Sequence, residues 1–320
     1  MNQEQIKQNL SNVVEGLILN LSNSISNFIK SGINDTDLSL NTYTDIQCIL
    51  NEQYNKFNNQ LKESIVIAGG SITSLFLNQE VNDYDIYFKD ENAVKALLNF
   101  YISIYNKQYN TNWCYSNKLH KIYQLKPAYK NIDCNSMELY SNFNEYCDTI
   151  DYLFFKNDST SKILIGEYAP ICITPNAVTL NNKIQLVTRF SGKPEEIISN
   201  FDFVHTNLYY DFYQNELVLN TESLQSILTK ELIYNGSKFP LCSLFRLNKF
   251  LSKGWTISNT ELLKISLQIH QLNLLDKSVL KEQLLGFYFP NCFNINDELN
   301  KLDEISVEHI LEIFTKYQSK

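Results

Sequence analysis

Three small residues and two carboxylates lie close together along the chain. Gly69, Gly70 and Ser71 follow the apolar run Ile65, Val66, Ile67, Ala68, and Asp83 and Asp85 open a second apolar run, Ile86, Tyr87, Phe88. Two glycines at a turn let the backbone approach a phosphate, because neither carries a Cβ. A helix starting at Ser71 adds free N–H groups and the positive end of its dipole. Ser71 can cap that helix or bond a phosphate oxygen. Asp83 and Asp85 are two residues apart, so on a strand both carboxylates face one side. Two like charges side by side are unfavourable without a cation between them. Mg²⁺ takes hard oxygen ligands and bridges to triphosphate oxygens. The chemistry that matches is phosphoryl or nucleotidyl transfer, with two ions holding the attacking and leaving oxygens. Either motif alone is common in ordinary turns and loops. The order strand, Gly-Gly-Ser, helix, strand, Asp-x-Asp makes the pair informative.

Elements of fixed kind must position these residues. Residues 64–68 read as a buried strand, 71–77 as a helix, 84–89 as a strand and 93–109 as a helix. Ahead of them, Ile6, Leu10, Val13, Val14, Leu17, Leu21, Ile25 and Phe28 recur at helical spacing over 3–30. A second amphipathic helix is expected over 44–61. Strands are expected at 113–115, 121–125, 151–155 and 162–165, in an order the sequence leaves open. Residues 177–180 and 183–190 read as an antiparallel pair joined by Asn181 and Asn182. A short helix with Pro194 in its first turn follows, then a strand over 201–210. From Thr221 onward the pattern is mostly helical, with breaks near Pro240, Gly254, Gly286 and Pro290. The expected fold class is α+β: a helical segment (1–60), a central domain with a mixed sheet and flanking helices (61–215) and a helical domain (216–320).

Composition narrows the function classes. A net charge of −8 argues against a broad basic coat for duplex nucleic acid, though not against a local basic groove. Arginine occurs only at Arg189 and Arg246 among the 27 basic residues, which draws attention to both. Seven cysteines, an odd number with no C-x-x-C pair, read as free thiols in a reducing cytoplasm. Four scattered histidines and unpaired cysteines give no zinc constellation. The N-terminus lacks a signal-peptide core, and no apolar run is long enough to span a membrane. A cytoplasmic protein with no membrane partner is expected.

Gly69, Gly70 and Ser71, followed after eleven residues by Asp83, Tyr84 and Asp85, resemble the signature of the nucleotidyltransferase superfamily. That superfamily includes DNA polymerase β-like enzymes, poly(A) polymerases and CCA-adding enzymes. Segments 176–180, 184–190, 194–197, 201–205 and 240–250 resemble phage-encoded members, so the likeness covers roughly 60–260. It implies a short mixed sheet carrying the two aspartates, a third acidic residue on a neighbouring strand, two Mg²⁺ ions and a nucleoside triphosphate substrate. On that pattern Asp202, inside an apolar run, is the expected third catalytic and metal-binding carboxylate or a general base. Asp133, Asp148 and Asp151 compete with it, and an Asp bonded to backbone or Arg is the structural alternative. His205 reads as a satisfied core residue. Arg246, Lys249 and Lys253 share one helix face, either as a phosphate clamp or as a solvated surface, with Trp255 or tyrosines available for base stacking. Arg189 ends the strand before Asp202 and joins the expected nucleotide-binding set.

The leading expectation is therefore a Mg²⁺-dependent nucleotidyltransferase acting on an acceptor hydroxyl, with an RNA 3′ end as one candidate acceptor. A non-catalytic protein that kept the fold as a phage structural or binding module is the main rival. A toxin modifying tRNA or a protein is the third reading. The nucleobase, the acceptor and the oligomeric state are not set by the sequence.

Overall fold

The computed structural model describes residues 1–30, 59–116, 119–126, 147–150, 152–155, 168–284, 299, 302 and 304–318. The 162–165 strand, most of the 44–61 helix, Asp133 and Asp151 fall outside these residues. The chain divides into two compact units, one of Met1–Ile197 with Tyr209–Val218, the other of Ile198–Leu208 with Leu219–Lys320.

The first unit contains α1 (Gln3–Lys30), β1 (Ile65–Ala68), α2 (Gly70–Phe76), β2 (Tyr84–Phe88) and α3 (Glu91–Tyr109). It continues with β3 (Cys114–Ser116), β4 (Lys121–Leu125), β5 (Cys147–Ile150), β6 (Leu153–Phe154) and β7 (Pro170–Ile173). After these come β8 (Ala177–Leu180), β9 (Ile184–Ser191), α4 (Pro194–Ile198), β10 (Tyr209–Asp211) and β11 (Glu216–Val218). Eight strands form one sheet in the order β11-β10-β1-β2-β9-β8-β7-β6, and β3-β4-β5 form a second. Within the large sheet β2 and β9 pair in parallel and the other neighbours pair antiparallel. The class is α+β with a mixed sheet, as expected.

One row across this sheet explains why the strands assemble. Tyr210, Ile67, Ile86, Leu186 and Val178 stand in register on five adjacent strands, and each is fully buried. Side chains in register share a face, so the five build a continuous apolar band. Each contributes roughly 2 kcal/mol through burial. α1 adds Ile6, Leu10, Val14, Leu17 and Leu21, all buried at helical spacing. Asp90 starts α3 by accepting a bond from the Asn92 N–H at 2.9 Å, and Asn110 ends it at φ 52°.

The second unit contains a 3₁₀ turn (Val204–Thr206), α5 (Thr221–Thr229), β12 (Glu231–Leu232), α6 (Pro240–Ser252) and β13 (Thr256–Ile257). It ends with α7 (Asn259–His270), α8 (Lys277–Leu284) and α9 (Val307–Gln318). Phe239, Leu241, Cys242, Leu280, Leu284, Leu299, Ile305 and Ile313 form its apolar cluster. β12 and β13 pair in parallel.

Several expectations need correction. The run 201–210 is not one strand. Phe203 makes a single bridge to Tyr234, and strand geometry resumes only at Tyr209. Between them the Thr206 hydroxyl donates to the Phe203 carbonyl at 2.7 Å, a local bond that competes with ladder formation. The expected break near Pro240 is present, and Pro240 itself begins α6, because its missing N–H falls where no intrahelical partner exists. The β8–β9 connection is three residues, with Asn182 and Lys183 at φ 60° and 61°. β5 and β7 carry too little alternation to be anticipated.

Candidate functional site

Gly69 leaves β1 at φ 90° and ψ −147°, a region essentially closed to residues with a Cβ. This turn starts α2 at Gly70, where an added Cβ would meet nothing within 4 Å. The space over Gly70 is open. Ser71, next in the chain, is 4% exposed, and its hydroxyl has no hydrogen-bond partner among the described residues. A buried hydroxyl without a partner costs about 1–3 kcal/mol.

Asp85 lies half-buried within β2, and Asp83 is exposed immediately before the strand. The loop carrying Asp83 is pinned by the β8–β9 hairpin. The Tyr84 N–H donates to the Lys183 carbonyl at 2.7 Å, and Lys183 Nζ donates to Val81 O at 3.0 Å and to the Glu80 carboxylate. Lys183 holds the Glu80 carboxyl below its usual range. The positive φ of Lys183 aims this ammonium at the loop, a role with no signature in the sequence.

The register gives Asp85 its neighbours. β9 sets Gln185 beside it, and β8 sets Thr179 beside Gln185. On the other side, the β1–β2 register carried one residue past Ile67 and Ile86 places Ala68 next to Asp85, and Tyr209 pairs with Ala68. The row Tyr209, Ala68, Asp85, Gln185, Thr179 thus lies one residue from the fully buried apolar band and on the opposite sheet face. At its β10 end the Tyr209 hydroxyl donates to Glu195 Oε1. Burial, then that carboxylate, raises the Tyr209 pKa.

The resemblance implied a third acid on a strand neighbouring the pair. β2 is flanked by β1 and β9, and neither strand contains an acidic residue. Gln185 occupies the position registered with Asp85. Sequence reasoning passed over it because an amide is not an acid. The available signal was its place between Ile184 and Leu186, both buried.

Asp202 lies in the second unit. It is 6% exposed, and its Oδ2 accepts from Arg246 Nη1 at 2.6 Å. Its expected strand setting is absent, and the structure does not bring it together with Asp83 and Asp85 in one unit. Among the described residues no group of three His, Cys, Asp or Glu side chains is placed to hold an ion. Arg246 shares α6 with Lys249, while Lys253 caps the helix; both lysines are exposed. Trp255, offered as a base-stacking residue, is instead 4% exposed, with its ring 4.3 Å from that of His205. Phe250 stands 4.5 Å from the same imidazole at 89°. Burial lowers the His205 pKa to about 4, against an opposing pull from the Asp202 charge. His205 is fully buried.

Arg189 lies toward the far end of β9, about 13 Å along the strand from Gln185. Its guanidinium is 3.5 Å from Asn176 Oδ1 and 5.9 Å from the Phe190 ring centroid. Asp148 is exposed on β5. No helix of the described residues is long and apolar enough to cross a membrane.

Comparison with known proteins adds a family. The sequence pattern of the Gabija anti-defense 2 family matches residues 41–230, more than half of the chain. A curated relative from Bacillus phage SPbetaL7, named Gabija anti-defense 2, is 24% identical over 260 residues. That alignment covers 77% of this chain and 50% of the relative, so the chain spans about half the length of the protein it matches. Among solved structures, the Thermotoga maritima CCA-adding enzyme complexed with tRNA gives a TM-score of 0.36 at 10% identity, covering 78% of this chain and 51% of that one. The Bacillus stearothermophilus CCA-adding enzyme in complex with CTP gives 0.35 at 13% identity, covering 73% and 48%. Scores this low carry no residue correspondence, and none is taken from them. On the extent of the sequence match, this chain belongs to the Gabija anti-defense 2 family.

Proposed function

We propose that the chain is a phage anti-defense protein directed at Gabija, and that it works by transferring a nucleoside monophosphate from a triphosphate to an acceptor hydroxyl. The observation that supports this best is the open space over Gly70, which follows the strand next to that of Asp85, with the buried and unpartnered Ser71 hydroxyl one residue further on. Backbone N–H groups at Gly70 and Ser71 and the Ser71 hydroxyl bind the phosphates. The open space admits a phosphate at Gly70 that a side chain would exclude.

Asp83 and Asp85 supply two hard carboxylate donors. This donor set fits Mg²⁺. When bound, Mg²⁺ supplies neutralisation of the triphosphate and polarisation at the α-phosphorus. The chain's own residues do the rest. Lys183 fixes the loop that bears Asp83, and β2 fixes Asp85. The acceptor oxygen forms a bond to the α-phosphorus as the bond to the pyrophosphate oxygen breaks. Pyrophosphate leaves with that electron pair, and the hydroxyl proton passes to water. An RNA 3′ end is one acceptor of this kind. In this reading Asp202 and Arg246 hold the second unit together, and Lys249 and Lys253 offer a surface for an extended phosphate backbone.

Incubation with each α-labelled triphosphate, Mg²⁺ and total RNA tests the proposal. Label transfer that disappears in D83N and D85N supports it, and equal transfer in those variants overturns it. A second reading, a nucleotide-binding module without turnover, is favoured by one observation: β1 and β9 lack an acid beside Asp85. Mg²⁺-dependent stabilisation by a triphosphate without any label transfer distinguishes that outcome.

A further inference from the structure

Gln185 and Thr179 are polar residues on strands that are otherwise closely packed. Ile184 and Leu186 flank Gln185, and Val178 and Leu180 flank Thr179; all four are at most 2% exposed. Gln185 and Thr179 are half-buried on the face that carries Asp85, and they stand in register with each other. Neither side chain has a hydrogen-bond partner among the described residues. Both side chains are partly exposed, so their polar groups are open to a ligand that takes the place of water.

The order of strands gives this pair a direction. Across the sheet run β1, β2, β9 and β8. Gly70 and Ser71 follow β1, Asp85 is on β2, and Gln185 and Thr179 lie roughly 5 and 10 Å beyond it at the usual strand spacing. An in-line displacement at phosphorus puts the attacking and leaving oxygens on opposite sides. With the leaving phosphates over Gly70 and Ser71, the attacking group comes from the β9–β8 side.

The chemistry of the pair states what that group is. An amide and a hydroxyl each donate and accept and carry no charge. They suit hydroxyls, whereas a phosphate is better matched by cationic side chains or by the N–H groups of a helix N-terminus. The nearest cation on the hairpin, Lys183, is engaged with Glu80 and Val81. Two such groups on adjacent strands match two neighbouring hydroxyls. Resting on the nucleotidyl-transfer reading above, we propose that Gln185 and Thr179 are positioning residues for the acceptor, and that the acceptor presents the vicinal diol of a ribose. One diol oxygen forms the new bond to the α-phosphorus, pyrophosphate departs with the bonding electrons, and the proton goes to water.

The diol could belong to an RNA 3′ end or to a free nucleoside, so both serve as probes. Full-length protein is given Mg²⁺, the four α-labelled triphosphates and either a short random-sequence RNA, the same RNA ending in a 2′-deoxy residue, or adenosine. Titration with a fluorescent triphosphate measures nucleotide affinity separately. The expected result is transfer to the RNA or to adenosine, falling about tenfold on the 2′-deoxy end. Q185A and T179V should raise the acceptor KM about tenfold each, with nucleotide affinity within about twofold of wild type. T179S, which keeps the hydroxyl, should restore the acceptor KM and so separate positioning from packing. Unchanged acceptor KM in Q185A and T179V, indifference to the 2′-hydroxyl, or label on DNA or protein instead would overturn the acceptor assignment. Transfer lost only in D83N and D85N would still leave the nucleotidyl-transfer reading standing. Absence of triphosphate binding by the wild type would overturn both.

Discussion

The two units differ in how their buried polar groups are placed. In the second, the buried Asp202 carboxylate is paired with Arg246 at 2.6 Å, and the His205 imidazole is packed between Phe250 and Trp255. In the first, the Ser71 hydroxyl is buried without a partner, and Gln185 and Thr179 extend a polar row on the face opposite the fully buried apolar band. Satisfied buried polar groups stabilise a unit, while unsatisfied ones cost stability and persist where a ligand completes them. On the function proposed above the nucleotide site lies in the first unit, although Asn207 Oδ1 in the second is also buried without a hydrogen-bond partner among the described residues.

Substitutions can break that contrast, and the largest effect is expected at the carboxylates. D83N and D85N should each lower nucleotidyl transfer by about 10²–10³-fold, as loss of a transition-state charge partner does, with melting temperature nearly unchanged. D202N should do the reverse, keeping transfer and losing stability. If D202N abolished transfer at unchanged stability, Asp202 would rejoin the metal-binding set.

Removing the partner of Asp202 comes next. R246M leaves a buried carboxylate unpaired. For a fully buried pair this costs about 3–5 kcal/mol, and the Arg246 side chain is 43% exposed, so about 2 kcal/mol is expected after discounting for solvent. Urea denaturation followed by the fluorescence of Trp255 in a W113F background would measure it.

The His205 environment predicts a pH dependence of similar size. Its folded pKa lies at about 4, below the unfolded value of about 6.5. Between these values the unfolded chain binds more protons, so stability falls as pH drops from about 6.5 toward 4. At pH 5 the loss should be about 2 kcal/mol relative to neutral pH. H205F should remove this part of the profile.

The smallest effect is the most diagnostic of the first unit. S71A deletes an unpartnered hydroxyl, so it should raise stability by up to about 1 kcal/mol while weakening triphosphate binding about tenfold. A fall in stability would mean that Ser71 serves packing.

These distinctions were only partly legible in the chain. β1, α2, β2 and α3 could be read because buried apolar runs, a Gly-Gly turn and helical spacing are local signals. The β8–β9 hairpin was legible for the same reason. The Asp202 run looked like a strand because Phe201, Phe203 and Val204 are apolar, yet the Thr206 hydroxyl ends pairing after one bridge. Gln185 became visible only through the parallel register of β2 and β9, which joins residues a hundred positions apart. Lys183 acquired its role from a left-handed turn conformation. Long-range register and side-chain pairing are tertiary properties, and no local pattern encodes them.

The most direct test of the account is side-by-side transfer of α-labelled triphosphate by wild type, D83N, D85N and D202N in Mg²⁺. The account predicts transfer by wild type and D202N and loss in D83N and D85N. Transfer by D83N and D85N at the wild-type level would contradict it.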